Sequence, residues 1–214
     1  MQRDYLLRMI EQFGAFVSAL RNSRETQSWE AFDEDLEEGY GRFAGVSPSL
    51  VHAIAEDDLV TMLRARGGID LDRWWGLAEL LREEGLALEA RGMPSSGAFL
   101  KSLRIYLEVL DEAEEMPRQI RVSDLEDVIE RAGDLPLTDA SRAMLTTYFI
   151  SLRRFDRAEN LVLTALDTEP IEKARRTEAE TFYADMGRYA DDELAAGGLS
   201  RDEVELGLAS LNGR

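Results

Sequence analysis

Apolar side chains recur at three- and four-residue intervals along most of the chain, and this periodicity constrains the fold more than any other feature. It is typical of amphipathic helices, each of which presents an apolar face to a core. No stretch shows the two-residue alternation of a strand between hairpin turns. The sequence therefore predicts an all-α protein of about ten to twelve helices with no long linker.

The first predicted helix is apolar on most of its circumference. Leu6, Leu7 and Ile10 widen the main apolar face, which consists of Tyr5, Met9, Phe13, Phe16, Val17 and Leu20. We expect such a helix to lie between other helices or at a subunit interface. Together with the helical pattern that follows, it predicts an N-terminal helical hairpin over residues 1–45.

Three patterns predict where later helices begin. Asp70 or Asp72 is expected to cap a long helix, and Asp139 is expected to cap another. Ser200 and Glu203 have the spacing of a capping box, in which each side chain bonds the other residue's backbone N–H.

The stretch RRFDRAENLVLTALDTEP, residues 153–170, has small residues and a proline at intervals that suit close helix packing. This region resembles a tetratricopeptide repeat, in which two antiparallel helices pack within a unit of about 34 residues. Arg142 and Thr146 stand where that family usually has tryptophan and glycine. The positions that match in type and spacing are Leu145, Phe149, Ala158, Ala165 and Pro170.

The repeat resemblance implies antiparallel helix pairs at residues 70–115 and 139–195. Stacked pairs of this kind form a right-handed superhelical array, here with extra N-terminal helices. Because no strict period runs through the chain, we expect a repeat-like body rather than a regular array. The expected organisation is a single helical domain over residues 1–214.

Several stretches together resemble a family of uncharacterised bacterial proteins with a tetratricopeptide-like body. They are DYLLRMIEQ at residues 4–12, SLVHAIAEDDLVTMLRARGGID at 49–70, LAELLREEG at 77–85 and DDELAAGGLSRDEVELGL at 191–208. The resemblance covers nearly the full length. It implies a fold and a bacterial, cytoplasmic setting, but no activity and no site residues.

The charge balance limits the classes of partner. The chain has 43 acidic and 25 basic residues and a net charge of −18, so it would be repelled by nucleic acid and by anionic membranes. We expect neither as a partner, whereas a basic protein or peptide would be attracted. The acidic surface also serves solubility.

The absence of cysteine excludes disulfides, thiolate metal sites and cysteine nucleophiles. Charged residues interrupt the N-terminal stretch MQRDYLLRMIEQFG, which is unlike a signal peptide. No run reaches the roughly 18 apolar residues of a membrane span. These features favour a cytoplasmic location.

Candidate catalytic and metal-binding residues are few. His52 is the single histidine, and it is expected to be a partly buried or edge residue rather than a general base, because no second histidine or cysteine can form a dyad with it. A calcium loop starting at Asp33 would need glycine at Glu38 and glutamate at Ala44.

A helical-bundle metal site would draw on carboxylates. The di-iron type needs Glu-x-x-His pairs, which the sequence lacks. We therefore predict no catalytic residues, no cofactor and no metal. The carboxylates considered are Glu83, Glu84, Glu108, Asp111, Glu112, Glu114 and Glu115.

Aromatic residues at helical spacing are usually part of a core. Trp74 and Trp75 point in directions about 100° apart on a helix, so one of them is expected to be partly exposed. The interaction surface suggested by the sequence consists of Trp74, Trp75, Tyr5 and Phe13.

Three hypotheses for function follow. The leading one is a non-catalytic helical-repeat module that binds another protein or a peptide, with a basic partner favoured. The second is a structural or regulatory homo-oligomer, such as a homodimer, assembled through the N-terminal helix. The third is a small-molecule binder or an enzyme that uses carboxylates in a helical cavity.

Overall fold

The computed structural model describes the backbone of residues 2–65, 70–113, 122–132, 135–166 and 173–212. Side chains are described in the same ranges except for residues 2–10, Val122 and Asn212. Within these ranges the chain forms helices and turns and contains no strand. The prediction of an all-α fold is confirmed, while the superhelical arrangement stays a prediction.

The described helices follow one another with short connections. The second helix continues into a π-helical turn, Tyr40–Ala44. The α-helices are α1 Gln2–Glu25, α2 Trp29–Gly39, α3 Pro48–Ala53, α4 Glu56–Ala65, α5 Leu71–Ala90, α6 Ser96–Glu112, α7 Val122–Ala132, α8 Asp139–Ser151, α9 Phe155–Leu166, α10 Lys173–Met186, α11 Asp191–Ala196 and α12 Arg201–Asn212.

The structure shows how the predicted caps are formed. The Asp70 carboxylate accepts a hydrogen bond from the Arg73 backbone N–H over 3.2 Å, as expected at the start of α5. The capping box at α12 is confirmed by bonds from Ser200 N to Glu203 Oε2 and from Glu203 N to Ser200 Oγ. At the start of α8, Thr138 Oγ1 accepts a hydrogen bond from the Ser141 backbone N–H over 3.2 Å, one residue before the predicted cap Asp139.

Contacts divide the chain into two compact units, Met1–Ser141 and Arg142–Arg214. The boundary falls within α8. The expectation of a single helical domain over residues 1–214 stays a prediction.

In the first unit, α5 packs along α6, and α6 also contacts α4 and α7. A Cβ atom added at Gly85 of α5 would lie 2.8 Å from Phe99 Cε1 of α6, so glycine permits this close approach. The α1 helix packs on α2 and α5. A Cβ at Gly39 would lie 2.7 Å from the Phe16 ring, so glycine also permits the approach of α2 to α1.

In the second unit, α10 packs against both α9 and α12. Phe155 lies near Tyr189, and Glu159 bonds Tyr183, so the sequences of α9 and α10 run in opposite directions. On the other side, Tyr183 contacts Gly207, and Arg176 donates to the Leu211 carbonyl oxygen. The helices α9, α10 and α12 are therefore successively antiparallel.

In the described ranges, no helix has both the length and the apolar character that are needed to cross a bilayer.

Candidate functional site

Helix α5 is the central element of the first unit. From Trp74 to Glu83 every side chain is buried, including the ionisable residues Glu79, Arg82 and Glu83. A helix that is buried on all sides normally carries apolar residues, because an unpaired charge in the interior is costly. These three charged groups are therefore the first candidates for a functional cluster.

Glu83 has no exposed surface and is surrounded by arginines. Its Oε1 accepts hydrogen bonds from Arg21 Nε over 2.7 Å and from Arg82 Nη1 over 2.8 Å. Its Oε2 accepts one from Arg24 Nε over 3.2 Å. Two of these three arginines come from α1, so this carboxylate connects α1 to α5.

Glu79 lies one turn earlier on α5. Its Oε1 accepts a hydrogen bond from the Tyr106 hydroxyl of α6 over 2.6 Å, and its Oε2 lies 3.4 Å from Arg21 Nη2. Burial raises the pKa of Glu79, although Tyr106 and the arginines counteract the effect. Burial also raises the pKa of Tyr106 well above its usual value, which keeps the phenol protonated as a donor.

Helix α7 completes the cluster. Asp124 lies 3.2 Å from Arg21 Nη2 and 3.5 Å from Arg82 Nη2. Asp127 accepts from Arg82 Nη2 over 3.0 Å and from Arg131 Nε over 2.8 Å. We call Arg21, Arg24, Glu79, Arg82, Glu83, Tyr106, Asp124 and Asp127 the charge cluster.

The geometry of the charge cluster favours a structural role. Each carboxylate in it bonds at least one guanidinium group, and the Arg21 guanidinium has its pKa raised by these carboxylates despite the opposing effect of burial. Charges paired in this way hold helices in one arrangement, whereas removal of one partner leaves a buried charge uncompensated. Chemistry at such a group would require breaking its ion pairs.

The carboxylates suggested by the sequence do not converge on one site. Glu83 belongs to the charge cluster, whereas Glu108 bonds Arg64 over 2.5 Å and Arg104 over 2.7 Å. In the part of the chain that the structure describes, no group of three or more histidine, aspartate or glutamate side chains is placed to hold a metal ion. Glu114 and Glu115 lie outside the described residues.

His52 lies at the surface of the first unit with about half of its side chain exposed. Its side chain is 49% exposed, and its Nε2 lies 2.8 Å from Glu84 Oε1. The other oxygen of Glu84 accepts a hydrogen bond from the buried Tyr40 hydroxyl. This arrangement ties α3 to α5 through the Glu84 carboxylate.

Lys101 of α6 also holds α3 in place. Its Nζ donates to the carbonyl oxygens of Val51 over 2.7 Å and of His52 over 3.3 Å, at the C-terminal end of α3. A cation is favourable there because the last carbonyls of a helix carry partial negative charge. Burial lowers the pKa of Lys101.

The aromatic interaction surface expected from the sequence must be corrected. Phe13, Trp74 and Trp75 are only 3%, 3% and 9% exposed. Trp75 packs edge-on against Phe13 with ring centroids 4.8 Å apart. The two tryptophan side chains point about 100° apart, but neither is exposed, because other helices cover α5 on every side. The side chain of Tyr5 lies outside the described residues.

The residues of the repeat-like pattern lie in the interior as far as they are described. Leu145, Phe149, Ala158 and Ala165 are buried, and Pro170 lies outside the described residues. Small side chains at 158 and 165 are consistent with close packing of α9, which is what the pattern predicts.

Most of the charge cluster carries no signal in the sequence. Arg21, Glu79 and Asp124 are isolated charges in helical patterns, and such charges are usually solvated. One signal was available for Glu79, which stands between apolar residues in WWGLAELL, where every direction around the helix is apolar. The partners of Glu79 come from distant segments and carry no comparable signal.

The whole chain, residues 1–214, matches the model of a Family of unknown function (DUF6483), and it belongs to that family. No curated protein and no solved structure matches the chain.

Proposed function

We propose that this protein is a non-catalytic interaction or scaffold module that binds another protein in the bacterial cytoplasm through tetratricopeptide-like stacked helices. The observation that carries the proposal is the successive antiparallel packing of α9, α10 and α12. Helices stacked in this way present side chains along an extended surface and are a common scaffold for binding peptides and proteins.

Small residues support this packing. Ala158 and Ala165 of α9 are buried, and Gly207 of α12 lies against the Tyr183 ring, where a Cβ would clash. The Tyr183 hydroxyl donates to Glu159 Oε1 over 2.8 Å. Contacts through small residues of this kind support the proposal, because they allow the helices of a repeat to approach closely.

The outward face of α12 is the proposed docking surface. Leu206 is 69% exposed, and Asp202, Glu205 and Ala209 lie on the same side of the helix and are exposed. One apolar side chain flanked by carboxylates suits an amphipathic segment with basic residues. The net charge of −18 favours the same class of partner.

Affinity capture with matched variants tests this proposal. The tagged protein would be incubated with the cytoplasm of its source, washed at low and high salt, and analysed by mass spectrometry. The test variant is Asp202→Asn/Glu205→Gln on α12. The control is Glu30→Gln/Glu34→Gln on the exposed face of α2, which changes the charge equally.

The expected result is a basic protein that is released at high salt and is lost with the α12 variant but retained with the α2 control. The proposed surface would be rejected if both variants retained the same partner. Recovery of no basic partner under any wash would count against the interaction role.

A second candidate, homo-oligomerisation through α1, is favoured by the outward face of that helix. A Cβ at Gly14 would meet no atom within 4 Å, and the exposed residues next to it on this face, between Glu11 and Glu25, are small: Ala15, Ser18, Ala19 and Asn22. A second helix can approach such a face closely. Ser18→Arg would block a side-by-side dimer, which analytical ultracentrifugation detects.

A further inference from the structure

The surface of the first unit on which α1 packs is complementary in charge to a helix that carries two arginines. The α5 and α7 side of the charge cluster holds the carboxylates Glu79, Glu83 and Asp124. Arg82 lies on that side too, and α1 supplies Arg21 and Arg24. If α1 left without replacement, the buried carboxylates would lose these partners, at a large cost.

The connection between α1 and α2 is short and strained. Gln27 has a φ of 56°, the left-handed region that side chains other than glycine rarely adopt. The turn is closed by hydrogen bonds from Gln27 N to Arg24 O over 3.1 Å and from Ser28 N to Ser23 O over 2.8 Å. Glycine is the usual residue at this position of such a helix end.

We propose that two copies of the chain exchange α1. In the exchanged dimer, Arg21 and Arg24 of each copy bind Glu83 of the other, so the described contacts of α1 with the charge cluster are formed again. The difference lies in the turn, where Gln27 leaves the left-handed region and the two turn hydrogen bonds are lost when α1 and α2 straighten. Strained short connections of this kind favour exchange between identical copies.

This inference rests on the second candidate function, assembly through α1, and is independent of the α12 docking surface. It specifies how assembly occurs. The Ser18→Arg variant separates the two modes, since it blocks side-by-side packing of the outward faces but leaves the exchanged contacts intact.

Substitutions at the turn test the exchange. The full-length chain would be refolded from denaturant at high concentration, and its mass measured by light scattering after size-exclusion chromatography. Gln27→Gly relieves the strain of the turn in the monomer and should raise the dimer dissociation constant by about 25-fold, which is roughly fivefold for each of the two turns. Gln27→Val should lower it, because a β-branched residue tolerates a positive φ poorly.

Arg153 provides the matched control. In the described ranges, Gln27 and Arg153 are the two residues other than glycine that have a positive φ, and that of Arg153 is 55°. Arg153 lies in the second unit. Arg153→Gly should leave the dimer dissociation constant unchanged. Dimers that form equally with all Gln27 variants, or that disappear with Ser18→Arg, would overturn the exchange, as would monomers under every condition.

Discussion

Arg21 donates a hydrogen bond to Glu83 over 2.7 Å, and this contact joins residues 62 positions apart. It ties the N-terminal helix to the most buried helix of the first unit. A carboxylate without solvent exposure depends on its arginine partners, because water cannot replace them. The stability of the first unit should therefore depend on this contact more than on any surface ion pair.

The first prediction compares two buried glutamates. Glu83→Gln should lower the free energy of unfolding by about 3 kcal/mol, because three arginines lose their shared negative charge. Glu79→Gln should cost less, since burial already raises the pKa of Glu79 and the amide oxygen can accept from Tyr106. Urea unfolding of both variants checks this, and equal losses would contradict it.

The second prediction concerns pH. Burial raises the pKa of Glu159 in the folded state above the reference value of 4.5, so ionisation disfavours folding above the folded pKa. That penalty is relieved as pH falls through the folded pKa towards 4.5. Relative to the unchanged protein, Glu159→Gln should therefore raise the free energy of unfolding most near pH 7. This gain should become smaller as the pH falls towards 4.5.

Glu203 provides the opposite case. Hydrogen bonds from Ser200 lower its pKa below the reference value of 4.5, so its stabilising effect is present above pH 4.5. The effect is lost as pH falls through the folded pKa. Glu203→Gln should destabilise the protein at pH 7 and make less difference at pH 3. Unfolding curves across this range test both glutamates, and parallel pH profiles for the two variants would contradict the assignment.

The third prediction concerns glycines at helix contacts. Gly85→Ala should destabilise the first unit by about 1–3 kcal/mol, because the new Cβ would lie 2.8 Å from the Phe99 ring. Gly97→Ala, in the first turn of α6, is the matched control, since a Cβ there meets no atom within 4 Å. It should not destabilise the first unit. Thermal unfolding distinguishes the two, and destabilisation by both would refute the packing argument.

The fourth prediction concerns the lysine at the end of α3. Lys101→Met keeps the apolar part of the side chain but removes the donor to the Val51 and His52 carbonyls. Amide hydrogen exchange should become faster in α3 and remain unchanged in α10. Lys173→Met, at an exposed position, is the control. Unchanged protection of α3 in the Lys101 variant would show that Lys101 does not hold this helix.

The helices could be predicted from the sequence because their signals are local. The three- and four-residue periodicity, the Asp70 cap and the Ser200–Glu203 box depend on residues within one or two turns. The position of Trp75 could not be predicted in this way. Its burial depends on Phe13, which lies on another helix and becomes its neighbour only through the tertiary fold.

The charge cluster shows the same limit. Arg21, Glu83 and Asp124 lie on three helices, and no spacing in the sequence relates them. Periodicity assigns charged residues to a solvated face, which is the right assignment for most of them. It fails for Glu83 because α5 has no solvated face at that position.

The measurement that tests the proposed interaction role most directly is the salt dependence of binding between the purified protein and the captured partner. Calorimetric titrations from low to high salt should show affinity that falls steadily, and Asp202→Asn/Glu205→Gln should reduce both the affinity and its salt dependence. A purified pair that does not bind, or whose affinity is unaffected by salt and by the α12 variant, would contradict the account.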